Sequence, residues 1–316
     1  MEHQTQKQEQ KKSIKHRLYE IYDKKYKLLL VIPILLLIFS LIQIAYQVST
    51  TGDFIKKDVS LKGGITITIP YDKLVDTSKL ENEISSKFPG NDISVRTLRT
   101  ATSVEGIIVE ADIVANNNEE RDKLLHSIEE SLGTGLSNVN YGIEITGSSL
   151  GESFFRESLI ALAVAFLFMG LVVLLYFRTF VPSIAIIIAA FSDIVFALAV
   201  INLLNVRVGT AGIAAFLMLI GYSVDTDILL TVRVLKRREG TVMDRVVSSI
   251  KTGMTETLTA IATVTVAMLV TKSDVIKQIM LILLIGLIAD IFNTWIQNVG
   301  ILRLYIERKA KKGIII

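Results

Sequence analysis

LIALAVAFLFMGLVVLLYF, from Leu159 to Phe177, contains no charged side chain. As a helix rising about 1.5 Å per residue it is nearly long enough to cross the hydrocarbon core of a bilayer, about 30 Å thick. Five more stretches of this kind lie on either side of it. One runs from about Leu28 to Val48, and another from about Val181 to Leu204. A third continues from Val208 to about Val232, with polar residues in its last third. The others cover about Gly253 to Val270 and Val275 to Leu302. A helix satisfies its own backbone hydrogen bonds, so each stretch can stand in lipid. Composition agrees: 51% of the residues are hydrophobic, only 4 of 316 are proline, and mean hydropathy is +0.50. Cysteine is absent, which excludes disulfides and Cys-ligated zinc or iron–sulfur sites. The first stretch is too long for a signal-peptide core and no Ala-x-Ala site follows it, so it reads as a retained anchor.

The basic residues orient the spans. Lys7, Lys11, Lys12, Lys15, Arg17, Lys24, Lys25 and Lys27 precede the first. Arg178 separates the second and third. Arg233, Lys236, Arg237, Arg238, Arg245 and Lys251 lie between the fourth and fifth, and Arg303, Arg308, Lys309, Lys311 and Lys312 end the chain. With six spans these regions share one side, and the opposite short loops offer mainly Arg207 and Lys272. Both termini are therefore expected in the cytoplasm.

The expected organisation is a basic cytoplasmic segment (residues 1–27), a first span (28–48) and an extracytoplasmic domain (49–152). A bundle of five further spans (153–303) and a basic cytoplasmic tail (304–316) follow. The outer domain reads as strand Gly64–Pro70, helix Thr77–Phe88, strand Asp92–Arg99, strand Gly106–Val114, helix Asn118–Leu132 and strand Asn138–Thr146. Alternation at Ile65, Ile67 and Ile69, and at Ile107, Val109 and Ala111, marks half-buried strands. The order βαββαβ is that of a ferredoxin-like α+β unit, a scaffold that says nothing of activity by itself. His126 falls on a surface helix and reads as a solvated histidine.

An acidic residue at mid-bilayer costs about 2.5–3.5 kcal/mol on insertion scales. Asp193 lies near the centre of the third span, flanked by Ala189 and Ala197. Asp290 lies near the centre of the sixth, with Gly286, Asn293, Thr294 and Gln297 on its face. The fourth carries Gly221-Tyr222-Ser223-Val224-Asp225-Thr226-Asp227. Two residues of helix turn a side chain by about 200°, so Asp225 and Asp227 point different ways. Glu256, near the cytoplasmic end of the fifth span, can snorkel outward. Such groups can be inert helix–helix glue. They can also carry protons, because low dielectric favours the neutral form of a carboxylate. One charge crossing the membrane potential yields about 2.3 kcal/mol per 100 mV. No P-loop, HExxH or Gly-x-Ser-x-Gly pattern is present. Gly63-Gly64 reads as a turn, not a nucleotide loop. No cofactor and no nucleic-acid partner are expected.

Together these motifs resemble the SecF family, the smaller half of the SecD–SecF accessory complex of the Sec export channel, over nearly the whole chain after Leu28. Gly147-Ser148-Ser149-Leu150-Gly151-Glu152 is similar to the family's Gly-x-x-Leu-Gly lead into the second span. Asp193 matches its third-span acid, and Gly221-Tyr222-Ser223 its fourth-span motif. Thr257-Leu258-Thr259 and Gly63-Gly64 also fit. Asp225-Thr226-Asp227 stands where bacterial members carry Asn-Asp-Thr, and Asp290 through Asn298 looks archaeal. The resemblance implies half of a resistance–nodulation–division (RND) type bundle, with a SecD-like subunit supplying the other half. It implies work beside the translocon channel on a translocating polypeptide, among membrane lipids, with H+ as coupling ion and no enzyme activity. The candidate proton path is Asp225 first, then Asp227, Asp193 and Asp290, with Gly221, Gly286 and Asn293 packing nearby. Two other readings are an RND-type small-molecule or lipid exporter and a structural subunit of the translocon.

Overall fold

A computed structural model describes residues 22–72, 75–99, 104–113, 118–136, 140–237, 239–271 and 273–312. Lys7 through Arg17, Arg238 and Lys272 lie outside the described residues. So do Val114, Asn138 and Val139, at the ends of two expected strands.

Six helices are long and apolar enough to cross a membrane: Tyr26–Thr51, Ser148–Phe177, Phe180–Leu203, Thr210–Lys236, Val242–Val270 and Asp274–Lys311, here spans one to six. Spans two, five and six extend well past their apolar stretches. Their added turns carry polar residues such as Glu152, Arg156 and Glu157, which suit a rod emerging into water. Span five starts with a capping box, in which Thr241 and Asp244 satisfy each other's backbone N–H groups. Spans three and four form the centre, with 56% of each apolar stretch buried, against 11% and 6% for spans one and two.

Between spans one and two the chain builds a four-stranded sheet: β1 (Gly64–Pro70), β2 (Ile93–Arg99), β3 (Val104–Ala111) and β4 (Gly142–Thr146). The spatial order is β2-β3-β1-β4 and every neighbouring pair is antiparallel. Register puts Ile65 opposite Ala111, Ile67 opposite Val109 and Ile69 opposite Ile107. These residues share one face, and Leu80 and Ile84 of helix Thr77–Lys87 cover it with Leu124 and Ile128 of helix Asn118–Leu132. Asp76 caps the first of these helices by accepting from the backbone N–H groups of Ser78 and Lys79. His126 is largely exposed, 3.9 Å from Glu129. The opposite sheet face carries Thr66, Thr68, Arg96 and Glu110, and looks toward Gly209, Thr210 and Gln278 at the outer ends of spans four and six.

Backbone hydrogen bonds between Val208 and residues Lys56 and Asp58 tie the domain to the bundle, and two further junctions reinforce them. At the first, two glycines let backbones cross. A Cβ on Gly151 would lie 2.7 Å from the Gly63 nitrogen, and one on Gly63 would lie 2.4 Å from the Ser148 Cα. Gly63 and Gly64 also have φ of +87° and +136°, which favours glycine. The second junction is Arg207, in the loop between spans three and four. Its guanidinium donates to Asp92 Oδ1 at 2.7 Å and to the Ile93 carbonyl at 3.1 Å, while its own carbonyl accepts from Gln278 of span six. Lys62 reaches the other Asp92 oxygen at 2.7 Å.

Partial burial pushes the Asp92 carboxyl up, but the Lys62 hydrogen bond and the charges of Arg207 and Lys62 outweigh it and hold it below the usual value. A depressed carboxylate stabilises the fold above its unfolded pKa, near 3.9, and that contribution fades as pH falls through the lower folded value. Glu110 has the opposite sign. Burial holds it above the usual value despite Arg96, so its charging opposes folding as pH rises. Protection of the residue 205–210 amides, relative to their intrinsic exchange, is therefore expected to fall below about pH 4 in the wild type. In Asp92→Asn it should already be lower than wild type at neutral pH. Equal exchange in the two proteins at neutral pH would show that the link does not hold the loop.

Candidate functional site

Asp193 of span three, Asp227 of span four and Asp290 of span six are all buried at the centre of the bundle. Asp193 Oδ1 accepts from Asn293 Nδ2 at 2.7 Å, and its other oxygen accepts from the Ser223 hydroxyl. Asp290 accepts from the Thr294 hydroxyl at 2.8 Å and lies 3.2 Å from the Thr226 hydroxyl, which is also 2.9 Å from the Ser223 carbonyl. A hydroxyl has one proton, so Thr226 donates to one of those two at a time. Ser223 and Thr226, one turn apart on span four, thus connect the carboxylates of spans three and six. Asp227 Oδ1 accepts from Asn298 Nδ2 at 2.7 Å. Its Oδ2 and the Asn298 Oδ1 have no partner among the described residues.

Span six meets the other two through an irregular turn. Residues Asn293–Asn298 form a π-helix. On an α-helix Asn293 and Asn298 would be about 140° apart. Hydrogen bonding from i to i+5 widens the turn and brings residues five apart to the same side. One short segment therefore serves Asp193, Asp290 and Asp227 through Asn293, Thr294 and Asn298. Trp295, the chain's single tryptophan, is buried in this turn against Gly253 of span five, where an added Cβ would lie 2.4 Å from the indole ring. The Tyr22 hydroxyl, just ahead of span one, donates to the Trp295 carbonyl.

The other expected site residues divide in two. A Cβ on Gly286 would lie 2.3 Å from Leu219 of span four. Among the described residues nothing lies within 4 Å of where a Cβ on Gly221 would be. Its face of span four is uncovered, and Tyr222 and Asp225 share that exposure. Asp225 stands apart from the three buried carboxylates, because two residues of helix turn it away from Asp227. It lines a hollow of ≈ 380 Å³ with Glu256, Arg233 and Arg237. Beside it, Tyr222 and the Thr252, Thr255, Glu256, Thr259 and Thr263 side of span five line a groove of ≈ 810 Å³.

Ser223, Thr226 and Asn298 were not singled out by the sequence reading. Ser223 and Thr226 sit in a quoted motif, and with Asp227 they stand at i, i+3 and i+4, the spacing of one helix face. Asn298 falls about 80° from Asp290 on an α-helix, off the polar seam, and only the π turn brings it in.

Six spans below a small outer domain, with carboxylates on three packed helices, form an integral membrane protein of one class. Residues 127–308 match the family described as "Protein export membrane protein SecD/SecF, C-terminal". Similarity to relatives named "Protein-export membrane protein SecF" narrows this. The chain is 38% identical to that of Methanocaldococcus jannaschii, over 92% of this chain and 99% of the relative. It is 36% identical to that of Methanothermobacter thermautotrophicus (91% and 95%) and 34% identical to that of Pyrococcus furiosus (95% and 97%). The chain belongs to the SecF family, in its archaeal form. Its fold is similar to the crystal structure of SecDF from Thermus thermophilus, with a TM-score of 0.68 at 18% identity. That match covers 93% of this chain but only 42% of the other, so this chain spans about two fifths of the solved one.

Proposed function

We propose that this chain is the SecF-type subunit of a Sec accessory complex that uses the proton gradient to assist polypeptide export. The observation that carries the reading is the meeting of Asp193, Asp227 and Asp290 through Ser223, Thr226 and the π turn. Each buried carboxylate is costly in lipid, and three on three helices exceed what packing needs. Proton uptake or release changes which of their donors are satisfied, and so favours one helix arrangement over another. Both termini face the cytoplasm and the outer domain lies across the cytoplasmic membrane, in line with the basic residues. Strand order supports a ferredoxin-like class for that domain.

A SecD-like subunit covers the open face of spans four and five and completes an RND-type bundle beside the translocon channel. Lipid cannot satisfy Asp225 and Glu256, whereas a polar helix can. In this arrangement Asp225 extends the proton path toward the partner. The additional length of the solved SecDF chain is consistent with such a partner half.

Two experiments test this. Export in cells depleted of the chain is expected to be rescued by wild type and not by Asp227→Asn. Full rescue by Asp227→Asn at normal membrane levels would remove that residue from the path. Because the chain has no cysteine, Gly221→Cys provides a single thiol. It should cross-link to the SecD-like subunit through a bifunctional reagent, and failure to do so in intact membranes would place the partner elsewhere.

A further inference from the structure

A polar hollow of ≈ 320 Å³ lies at the outer rim of the bundle, between the ends of spans one and three. Lys56, Lys57, Lys62 and Arg207 line it, with Asp53 and Asp92 as the acidic groups. Four cations face two carboxylates, and the contacts leave the excess uncancelled. Lys57 pairs with Asp53 at 2.8 Å, while Lys62 and Arg207 share the single carboxylate of Asp92. Lys56 meets the amide oxygen of Asn205, which carries no charge.

The position of the hollow matters as much as its charge. Thr51 ends span one and Asn205 follows the end of span three, so both lie where lipid headgroups meet the apolar core. An apolar crevice adjoins the hollow, lined by Phe54, Phe155, Leu159, Leu162, Ile194 and Leu198 among others. Ile55 belongs to the walls of both. Lys57 Nζ lies 4.7 Å from the centre of the Phe155 ring, which stacks on Phe54. A positively charged hollow beside an apolar crevice of ≈ 40 Å³, room for a methylene or two, matches an amphiphile at headgroup depth. A free anion would leave the crevice unused.

We propose that this is a binding site for an anionic membrane lipid. The headgroup phosphate lies against Lys56, Lys62 and Arg207, and the first methylenes of a chain follow the crevice. Charge-assisted hydrogen bonds from Arg and Lys are the usual means of holding a phosphate. The bound lipid joins the bilayer to the Asp92 junction, through which the outer domain is held.

The test uses the purified full chain in an uncharged detergent, with phosphatidylglycerol or phosphatidylcholine added at equal concentration and retention read by native mass spectrometry. Phosphatidylglycerol is expected to be retained preferentially. Lys56→Ala should lower that retention about fivefold, the contribution of one basic residue near an anionic surface. An unchanged melting temperature would show that the variant is folded. Inorganic phosphate at the same concentration should not displace the lipid. Equal retention of the two lipids, or undiminished retention by folded Lys56→Ala, would overturn the proposal. Displacement by inorganic phosphate would also overturn it, by making the hollow a site for free anions.

Discussion

Cells whose only copy of this chain carries Asp290→Asn are expected to accumulate the protein normally and to export no better than depleted cells. Asp290 is the best of the three buried carboxylates for this purpose because its donors are the hydroxyls of Thr226 and Thr294. A hydroxyl can donate or accept, so both can adjust to an amide that now has donors as well as an acceptor. Packing should change by no more than about 1 kcal/mol, the net value of an ordinary hydrogen bond. What asparagine cannot do is titrate. At Asp193 the same change is less clean, since Asn293 donates through its own amide and would meet a second donor if the new amide were turned the wrong way. Asp290→Glu, which keeps the ionisable group, should restore part of the export. Wild-type export with Asp290→Asn would make the cluster helix packing and send the search for the proton path to the partner subunit.

Gly151→Val is expected to remove most of the protein from membranes, or to leave it with a protease-sensitive outer domain. The atoms a Cβ would meet are the Gly63 nitrogen and the carbonyl carbons of Leu61 and Lys62, at 2.7 to 3.0 Å. All three are backbone, so no rotamer change can relieve the contact. Overpacking a tight site costs about 1–3 kcal/mol even where side chains can shift, and here they cannot. The start of span two and the turn into β1 would have to separate, loosening the domain from the helix that leads out of it. Limited proteolysis of membrane vesicles reads this directly. Wild-type levels together with wild-type protease resistance would show that the crossing tolerates a side chain.

The spans were legible because a helix in lipid must be apolar along its length, and charge-free stretches such as Leu159 to Phe177 are hard to read otherwise. Their ends were less legible. Span two continues outward through Glu152 and Arg156 because helix geometry does not stop where hydrophobicity does. In the outer domain the alternation at Ile65, Ile67 and Ile69 marked the inward face that the structure shows. The β4 strand starts at Gly142, later than alternation suggested, and β3 starts at Val104, ahead of its apolar run. At the site, periodicity separates Asp225 from Asp227, but it cannot tell which of them faces inward. That depends on how spans three and six pack on span four. The role of Asn298 was hidden for another reason: a π turn breaks the 3.6-residue period on which the reading of a helical face rests. The glycines of the 63–64 and 147–151 motifs stand far apart in sequence. Only the folded chain shows that they are the two sides of one crossing.

The widened turn in span six has a further mechanical consequence. It places one surplus residue in the middle of a long rod. If the turn closed to α-helical geometry, everything beyond it would swing through about 100° and advance about 1.5 Å relative to the other half of the rod. The half that would swing carries Arg303, which holds Tyr22 and Asp23, the first described residues of the chain. A change in hydrogen bonding around Asp193, Asp227 and Asp290 can therefore reach the far end of the rod as torque.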